Sequence, residues 1–396
     1  MSSEHRLFLV GLEPLQERYT GAWARWLPET FSKRFEVHNV EGEPLAGVIR
    51  TGAFLDLNST VHYKASQLQK LACAFDTPDL IRNGDVIWFS DIEWWGMEAA
   101  RYMADLSGRQ VVIAGFLHAA SHTHGDFMEP MADVGRYAEL AWVRACDVVC
   151  VGTEYARRAF LGRRVLYAGL QEAEIEAFKE RLVVTGNPFR PAEIRELAAS
   201  QGPAFARDID ILFPHRLDAE KNPGTFLACV EAWAARGLKV ALTTGRKELR
   251  STNAEHLVQQ ARALANAGKL DIYTDCTPER FYKLLSRAKV TVSCATEESF
   301  GYAMVEAAAL GSIPVVPEIA SYLETLATAV YYSPRALLKQ DQDGAVKGLR
   351  RAVDQGLTYA ASSGTVLMVQ KEADQLGRAE NLILHHLVDA SRRVRA

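Results

Sequence analysis

Short apolar runs alternate with amphipathic stretches along most of the chain, and this alternation constrains the fold more than any other feature. In the first half the runs are 6–12, 85–91, 109–117, 146–152 and 181–186. In the second half they are 208–216, 239–245, 270–275, 289–295, 313–317 and 329–333. Short buried runs separated by helices are typical of parallel strands. The sequence therefore predicts an α/β protein with doubly wound sheets.

The length of 396 residues favours two domains, because a single hydrophobic core rarely serves a chain of this size. A turn-rich segment, GNPFRP at 186–191, interrupts the pattern and is interpreted as the linker. We predict Rossmann-like domains at 1–187 and 188–370, facing each other across a cleft at the carboxyl ends of their strands. A C-terminal helix at 371–396 is expected to pack back towards the first domain.

Composition narrows the class of protein further. The net charge is −4, which gives no general reason to expect a polyanion as partner. No apolar run reaches the length that spans a bilayer, and the N-terminus is interpreted as a strand, so a cytoplasmic protein is expected. The six cysteines form no CxxC pair, and we expect reduced thiols and no structural zinc.

Two cations follow the first strand of the second half, in the segment FPHRLDAEKNP. Arg216 leaves the strand, and Lys221 follows five residues later where a helix opens. Two positive charges at a strand-to-helix turn suit a diphosphate, both when it is bound and when it leaves. An ordinary solvated turn would have the same composition, so this motif alone leaves both interpretations open.

Two carboxylates lie in the later segment EESFGYAMVEAAALGSIPVVP, where Glu298 and Glu306 are spaced as E-x7-E. Gly301 at the loop-to-helix junction permits close approach of a ligand to the backbone. Carboxylates suit sugar and ribose hydroxyls, because they accept two hydrogen bonds from a diol. Glu306 could instead lie on a polar helix face, but its neighbours are apolar, so its side chain needs a partner.

Together these motifs resemble glycosyltransferase family 4, the large retaining GT-B family. The matching patterns are R-x4-K, E-x-F-G-x4-E-A and G-x-x-P-V-V, within residues 208–320. The resemblance implies a GT-B fold and a nucleotide-sugar co-substrate, UDP-glucose being the expected donor. It implies that Arg216 and Lys221 bind the donor diphosphate, Glu298 the donor sugar and Glu306 the ribose. Main-chain groups of Ser299, Phe300 and Gly301 would line the sugar and phosphate, although the family often has glycine at position 299.

In the first half, the resemblance implies roles for a histidine and for a glycine-containing loop. His118 ends the strand VVIAGFL, and Thr20 and Gly21 follow the first strand, where the family contacts the donor. His118, His122 and His124 also form a cluster beside Asp126, which leaves a metal site as an alternative. Because the family works without a bound metal, we expect that none is required.

The mechanism implied by the resemblance is attack of an acceptor hydroxyl on the anomeric carbon, with retention through a front-face displacement. The sequence shows no facing pair of carboxylates of the kind found in retaining glycosidases. The expected catalytic residues are therefore Arg216, Lys221, His118 and Glu298, and no dedicated general base is assigned. Stabilisation of charge and positioning would carry most of the rate enhancement.

The acceptor is predicted from the first domain, where Trp94, Trp95, His122, His124, Arg157 and Arg158 are candidate contacts. The two tryptophans could stack on a base or sugar ring, or they could belong to the core. The two arginines could meet phosphates, or they could form a charged helix face.

PHRLDAEKNP, together with ESFGYAMVEAAALGSIPVVPEIASYLE, is similar to the branch that glycosylates the queuosine base of transfer RNA. The first domain, with GLEPLQERYTGAW and SDIEWWGMEAARYMADLSG, resembles phage-type glycosyltransferases of hypermodified DNA. This favours a hydroxymethylated pyrimidine of DNA, such as 5-hydroxymethylcytosine, as acceptor, and a phage-encoded monomer in the host cytoplasm. The first 187 residues carry 19 basic and 25 acidic side chains, which counts against DNA. The alternatives are a polysaccharide, a lipid-linked sugar, a transfer RNA base, a small molecule, or a non-catalytic binding module.

Overall fold

The structure is a computed structural model that describes residues 5–13, 19–44, 57–94, 96–123, 128–202, 207–244, 249, 251 and 254–395. The chain divides into two compact units. The first comprises Met1–Phe189 together with Arg378–Ala396, and the second comprises Arg190–Gly377.

Within the described residues, each unit contains one parallel sheet of six strands. The strands are β1 Arg6–Val10, β2 Glu36–Val40, β3 Val86–Phe89, β4 Val112–Leu117, β5 Val148–Val151, β6 Leu182–Val184, β7 Ile209–Phe213, β8 Val240–Thr243, β9 Asp271–Tyr273, β10 Ala288–Val292, β11 Ile313–Pro317 and β12 Val330–Tyr332. The order is β2-β1-β3-β4-β5-β6 in the first unit and β12-β11-β10-β7-β8-β9 in the second. In both sheets the order of the strands reverses next to the strand that comes first in the chain, as in other doubly wound sheets.

Helices connect the strands in both units. They are α1 Tyr19–Phe31, α2 Leu57–Asp76, α3 Met97–Leu106, α4 Ala132–Ala145, α5 Glu154–Phe160, α6 Glu172–Arg181, α7 Pro191–Ser200, α8 Pro223–Ala234, α9 Glu255–Asn266, α10 Pro278–Arg287, α11 Tyr302–Ala309, α12 Ala320–Thr325, α13 Arg335–Leu338, α14 Gln342–Ala360, α15 Ser363–Leu376 and α16 Ala379–Arg395. None of these helices, within the part of the chain that the structure describes, is long and apolar enough to cross a membrane.

One strand was not expected from the sequence. β2 pairs with β1 from Arg6↔Glu36 to Val10↔Val40 and lies at the edge of the first sheet. Its sequence, EVHNV, is mostly polar, and only Val40 is buried. An edge strand needs little apolar surface, so it lacks the apolar run by which the other eleven strands were predicted.

The two faces of the first sheet carry separate hydrophobic clusters. One contains Phe89, Ile113 and Val149, and the other contains Trp88, Ala114 and Cys150. Adjacent strand residues alternate between the faces, so both sides of the sheet are covered.

The end of the chain contains two helices where one long helix was expected. α15 ends at Leu376, before Gly377, and α16 begins at Ala379. α16 belongs to the first unit, where Ile383 and Leu387 enter the second of the two clusters. Thr30 of α1 donates a hydrogen bond to the buried Glu380 carboxylate, which anchors α16 at its start.

Candidate functional site

In the second unit the reversal of strand order lies between β7 and β10, which are hydrogen-bonded neighbours. The loops after these strands leave the same edge of the sheet and run to different sides of it. Ligands of open α/β sheets bind in the crevice that forms there. Arg216 and Lys221 follow β7, and Glu298 to Gly301 follow β10, so the topology brings the predicted donor residues together.

Arg216 is held by two carboxylates of its own loop. Its Nη1 lies 3.0 Å from Asp218 Oδ2, and its Nη2 lies 2.7 Å from Glu220 Oε1. Asp218 is almost fully buried, whereas Glu220 is a quarter exposed. Glu220 is therefore the partner that an incoming anion could displace more easily.

Lys221 and Glu298 join the two loops at the crevice. The Lys221 Nζ atom lies 2.6 Å from Glu298 Oε1, and both side chains are about 15% exposed (15% and 14%). Lys221 ends a 3₁₀ turn, Ala219–Lys221, and the next residue, Asn222, adopts a left-handed conformation with φ 45°. The Asn222 amide donates to the Cys294 carbonyl at 3.1 Å, which fixes the same contact between loops.

Gly301 has the backbone conformation that its position requires. Its φ is +79°, and it is the N-cap residue of α11. A Cβ atom there would lie 2.4 Å from the Tyr322 ring, which is fully buried. Burial and the nearby Glu298 carboxylate raise the pKa of Tyr322, whose hydroxyl donates to Ser293 Oγ at 2.9 Å. Phe300 is buried and Ser299 partly exposed at the same turn.

Glu306 has the partner that its apolar surroundings demanded. The Tyr282 hydroxyl donates to Glu306 Oε1 at 3.2 Å. Burial raises the pKa of Glu306 to about 8, and the hydrogen bond from Tyr282 opposes that rise. Tyr282 was not predicted from the sequence, because it lies 24 residues away on α10 and no motif marks it.

His215 is a second residue that the motif did not single out. Its Nε2 atom is buried without a hydrogen-bond partner in the described residues, and its ring packs edge-on against Phe213. Burial, with the charges of Lys221 and Arg216, holds its pKa well below the ordinary value of 6.5. The imidazole is therefore neutral beside the two cations at neutral pH.

In the first unit, Thr20 and Gly21 lie in the first turn of α1, and His118 directly follows β4. The His118 Nε2 atom lies 3.0 Å from the Ser90 carbonyl after β3, so this nitrogen carries the proton and donates. The ring contacts Trp23 and Phe116, and burial lowers the pKa of His118. The histidine is thus positioned by two adjacent strand ends as a neutral side chain.

Trp94 takes the core position that the sequence left as its alternative. It is 2% exposed and packs against Phe89. Its Nε1 donates to Gln67 Oε1 at 3.2 Å, while Gln67 Nε2 donates to the carbonyls of Gly11 at 2.8 Å and Val40 at 2.9 Å. This buried amide ties together the segments that follow β1, β2 and β3. Trp95 lies outside the described residues.

His122 also forms its hydrogen bond within the first unit. The Glu139 carboxylate on α4 is 2% exposed and receives hydrogen bonds from His122 Nδ1 at 3.2 Å, Ser121 Oγ at 2.5 Å and Arg164 Nε at 2.7 Å. Although burial by itself raises the pKa of Glu139, these contacts lower it below its ordinary value. The network fixes the segment after His118 on α4. His124 and Asp126 lie outside the described residues.

The two candidate acceptor arginines differ in placement. Arg157 donates to the carbonyls of Leu182 and Lys179, both at 3.0 Å, and so supports the end of the first sheet. Arg158 is 77% exposed and pairs with Glu154 one turn earlier. Among the described residues, no group of three or more histidine, cysteine or acidic side chains could hold a metal ion. All six cysteines are free thiols.

Comparison with known proteins adds the enzyme class. Residues 195–361 match the family of Glycosyl transferases group 1. This stretch, which includes the crevice between β7 and β10, is a glycosyl transferase domain. The chain is a glycosyltransferase.

Solved structures show the fold of the whole chain. A UDP-forming alpha,alpha-trehalose-phosphate synthase from Burkholderia vietnamiensis is 16% identical, with 97% of this chain and 98% of that chain covered and a TM-score of 0.63. The Burkholderia xenovorans enzyme in complex with glucose-6-phosphate is 17% identical, with coverage of 96% and 100% and a TM-score of 0.63. The pneumococcal O-GlcNAc transferase in complex with UDP and GlcNAc is 13% identical, with coverage of 84% and 60% and a TM-score of 0.53. The fold is GT-B, as the sequence predicted.

Proposed function

We propose that this glycosyltransferase takes a hexose from a nucleotide-diphosphate sugar, UDP-glucose or a close relative, and transfers it with retention to a hydroxyl of a small molecule. The observation that carries the donor assignment is the meeting of Lys221 and Glu298 across the crevice, 2.6 Å apart. A diphosphate attracts the lysine and a sugar hydroxyl donates to the carboxylate, so one bound donor satisfies both partners of this pair.

Donor binding then exchanges partners at the two cations. Arg216 and Lys221 are paired with Asp218, Glu220 and Glu298 in the structure. A diphosphate that displaces Glu220 and Glu298 keeps the cations neutralised and sets the Glu298 carboxylate free for the sugar. As the bond to the anomeric carbon breaks, the cations stabilise the charge that develops on the leaving phosphate. The acceptor hydroxyl attacks from the same face and gives its proton to the leaving phosphate oxygen.

The acceptor prediction changes in favour of the small molecule. Trp94, His122 and Arg157 bond within the first unit, and Trp94 and His122 are almost fully buried, so these contacts support the structure and not a DNA contact. The comparisons bring no support for a DNA base, a phage origin or a monomer. Two of the structural neighbours are trehalose-phosphate synthases, and one of them is in complex with glucose-6-phosphate. A sugar or sugar phosphate of that size is the acceptor class we propose.

The proposal is tested by incubating the protein with UDP-glucose, UDP-N-acetylglucosamine and GDP-mannose, each with a panel of sugars and sugar phosphates. A parallel arm contains duplex DNA with 5-hydroxymethylcytosine. Mass spectrometry reads the products, and release of nucleoside diphosphate is measured without acceptor. We expect one donor to be used, and transfer to a small acceptor with retained configuration.

Lys221→Ala should reduce turnover by at least about a hundredfold, the usual effect of removing a group that stabilises transition-state charge. Lys269→Ala is the matched control, because Lys269 also pairs with a glutamate, Glu231, but on the exposed surface of the same unit. Equal activity of Lys221→Ala and wild type would contradict the donor site. Transfer to DNA alone would restore the nucleic-acid acceptor.

A further inference from the structure

The Glu306 carboxyl group is unusual because it lies on an apolar helix and, within the described residues, its only recorded partner is a neutral hydroxyl. Its neighbours on α11 are Met304, Val305, Ala307 and Ala308, all buried. The two influences on its pKa are burial, which raises it to about 8, and the Tyr282 hydrogen bond, which opposes the rise. A buried carboxylate ordinarily has a cation or several hydrogen-bond donors, because ionisation in an apolar environment is costly.

The described lysines of α10 and β10, which pack against α11, have other partners. Lys283 of α10 donates to the Gly202 carbonyl at 2.9 Å, and Lys289 of β10 pairs with Asp210 at 2.7 Å. From α7, Arg195 is directed to the far end of α11, where it donates to the Ala309 carbonyl at 3.2 Å and to Asp374 of α15 at 2.7 Å.

Glu193, also on α7, pairs with Arg190 at 3.8 Å. Burial, Glu306 and Glu193 together raise the pKa of the Tyr282 phenol. Tyr302 of α11 acts on Tyr282 in the same direction. Tyr282 therefore stays protonated and can only donate to Glu306 through its hydroxyl.

We propose that Tyr282 is a positioning residue for recognition of the donor's ribose, holding one oxygen of Glu306 so that the other accepts the ribose diol, and that donor binding releases the Glu306 proton. This inference rests on the proposed function, since it needs a nucleotide as ligand. This contact makes the site prefer a ribonucleotide to a 2′-deoxyribonucleotide.

The chemistry follows from the number of donors around the carboxyl group. Before the donor binds, Glu306 carries a proton at neutral pH and Tyr282 donates a hydrogen bond to its Oε1 atom. Two ribose hydroxyls bring two further donors, which stabilise the ionised form and not the protonated one. Glu306 therefore loses its proton to the buffer as the donor binds, and no other bond is made or broken. By linkage, the affinity for the nucleotide rises with pH until Glu306 is already ionised before the nucleotide binds.

Tyr282 shifts this balance in a direction that can be measured. Its hydrogen bond favours ionised Glu306, so Tyr282→Phe should raise the pKa of Glu306 in the protein without nucleotide. Binding at neutral pH should weaken by about tenfold, as expected for loss of one hydrogen bond to a charged group. At higher pH the variant should approach the wild-type affinity, because Glu306 is then ionised in both. A change in packing alone would weaken binding equally at every pH.

The experiment is isothermal titration of the protein with UDP, GDP and ADP, and with the 2′-deoxy form of the tightest binder. Titrations run between about pH 7.5 and pH 9, so that the terminal phosphate, with a second pKa near 6, is almost fully ionised throughout. Two buffers with different enthalpies of ionisation report the protons released. The variants are Tyr282→Phe, Glu306→Gln and Tyr359→Phe. Tyr359 is the matched control, because its hydroxyl bonds Gln355 on the surface of α14.

For wild type and Tyr359→Phe we expect proton release near neutral pH and an affinity that rises until about pH 8. Tyr282→Phe should show the upward shift, and Glu306→Gln should release no proton and lose most of its preference for ribose over deoxyribose. Nucleotide binding with no proton release, or an unshifted profile in Tyr282→Phe, would overturn this inference and leave the donor assignment standing. If none of the nucleotides binds, both fail.

Discussion

Glu306→Gln should make the stability of the second unit less sensitive to pH. In the folded chain burial raises the pKa of Glu306 from 4.5 to about 8. Between these values the folded state holds a proton that the unfolded state has lost. Unfolding therefore releases a proton, and the contribution of Glu306 to stability is full below pH 4.5 and falls as pH rises to about 8. Glutamine keeps the shape and the acceptor for Tyr282 but cannot ionise.

The size of the effect follows from the linkage slope. One bound proton changes the free energy of unfolding by about 1.4 kcal/mol per pH unit. The variant should therefore gain about 3 kcal/mol relative to wild type between about pH 5.5 and pH 7.5, and the gain should level off above about pH 8. Such a difference is a large fraction of the stability of an ordinary domain.

Urea unfolding followed by circular dichroism measures this difference at each pH, with both proteins in the same buffers. Glu176→Gln is the control for the substitution itself, since Glu176 lies on the surface of the first unit beside Lys179. A flat difference for Glu306→Gln would mean that Glu306 is already ionised at pH 5.5 in the folded protein. The account of the site as an uncompensated carboxyl group would then be wrong.

Three further outcomes are expected from the same kind of measurement. Gly301→Ala should destabilise the protein by about 2 kcal/mol more than Gly237→Ala, since both have a positive φ but only position 301 meets a side chain, the Tyr322 ring; equal losses would argue against the close contact. Gln67→Leu should cost about 3 kcal/mol in urea unfolding, because it leaves two carbonyls and the Trp94 indole without partners, and a loss below about 1 kcal/mol would refute that network. His215→Asn should reduce the loss of stability on acidification, because a histidine with a lowered pKa stabilises fully above pH 6.5 and less as pH falls; an unchanged acid slope would contradict its neutral state.

The fold followed from the sequence wherever burial left an apolar signature. Eleven of the strands in the described residues coincide with apolar runs. The central strands are buried on both faces and are therefore apolar at nearly every position. β2 pairs only with β1 at the edge of the sheet, and its sequence is mostly polar. It was missed because no apolar run marks it. The break between α15 and α16 was missed because a glycine at 377 interrupts an otherwise continuous helical pattern without other signals.

The candidate donor residues were selected by motif, but the contacts between them were not predicted. The spacing R-x4-K and E-x7-E identified Arg216, Lys221, Glu298 and Glu306 as a group. Their contacts depend on which strands are neighbours: Lys221 meets Glu298 across 77 residues because β7 lies beside β10. Sequence periodicity predicts strands but carries no information on their order in the sheet.

Tyr282 also could not be predicted from the sequence. Its helix, α10, has the ordinary amphipathic pattern of an element that packs on α7, and a tyrosine at its boundary reads as a packing residue. Its proposed role depends on the contact between α10 and α11, which places the phenol 3.2 Å from a carboxyl group that has no cation as partner among the described residues. A residue that acts through another residue leaves no motif of its own, since any helix position able to present a hydroxyl at that point would serve. Such residues are found by asking which donor satisfies each buried charge, and in this chain that question leads from Glu306 to Tyr282.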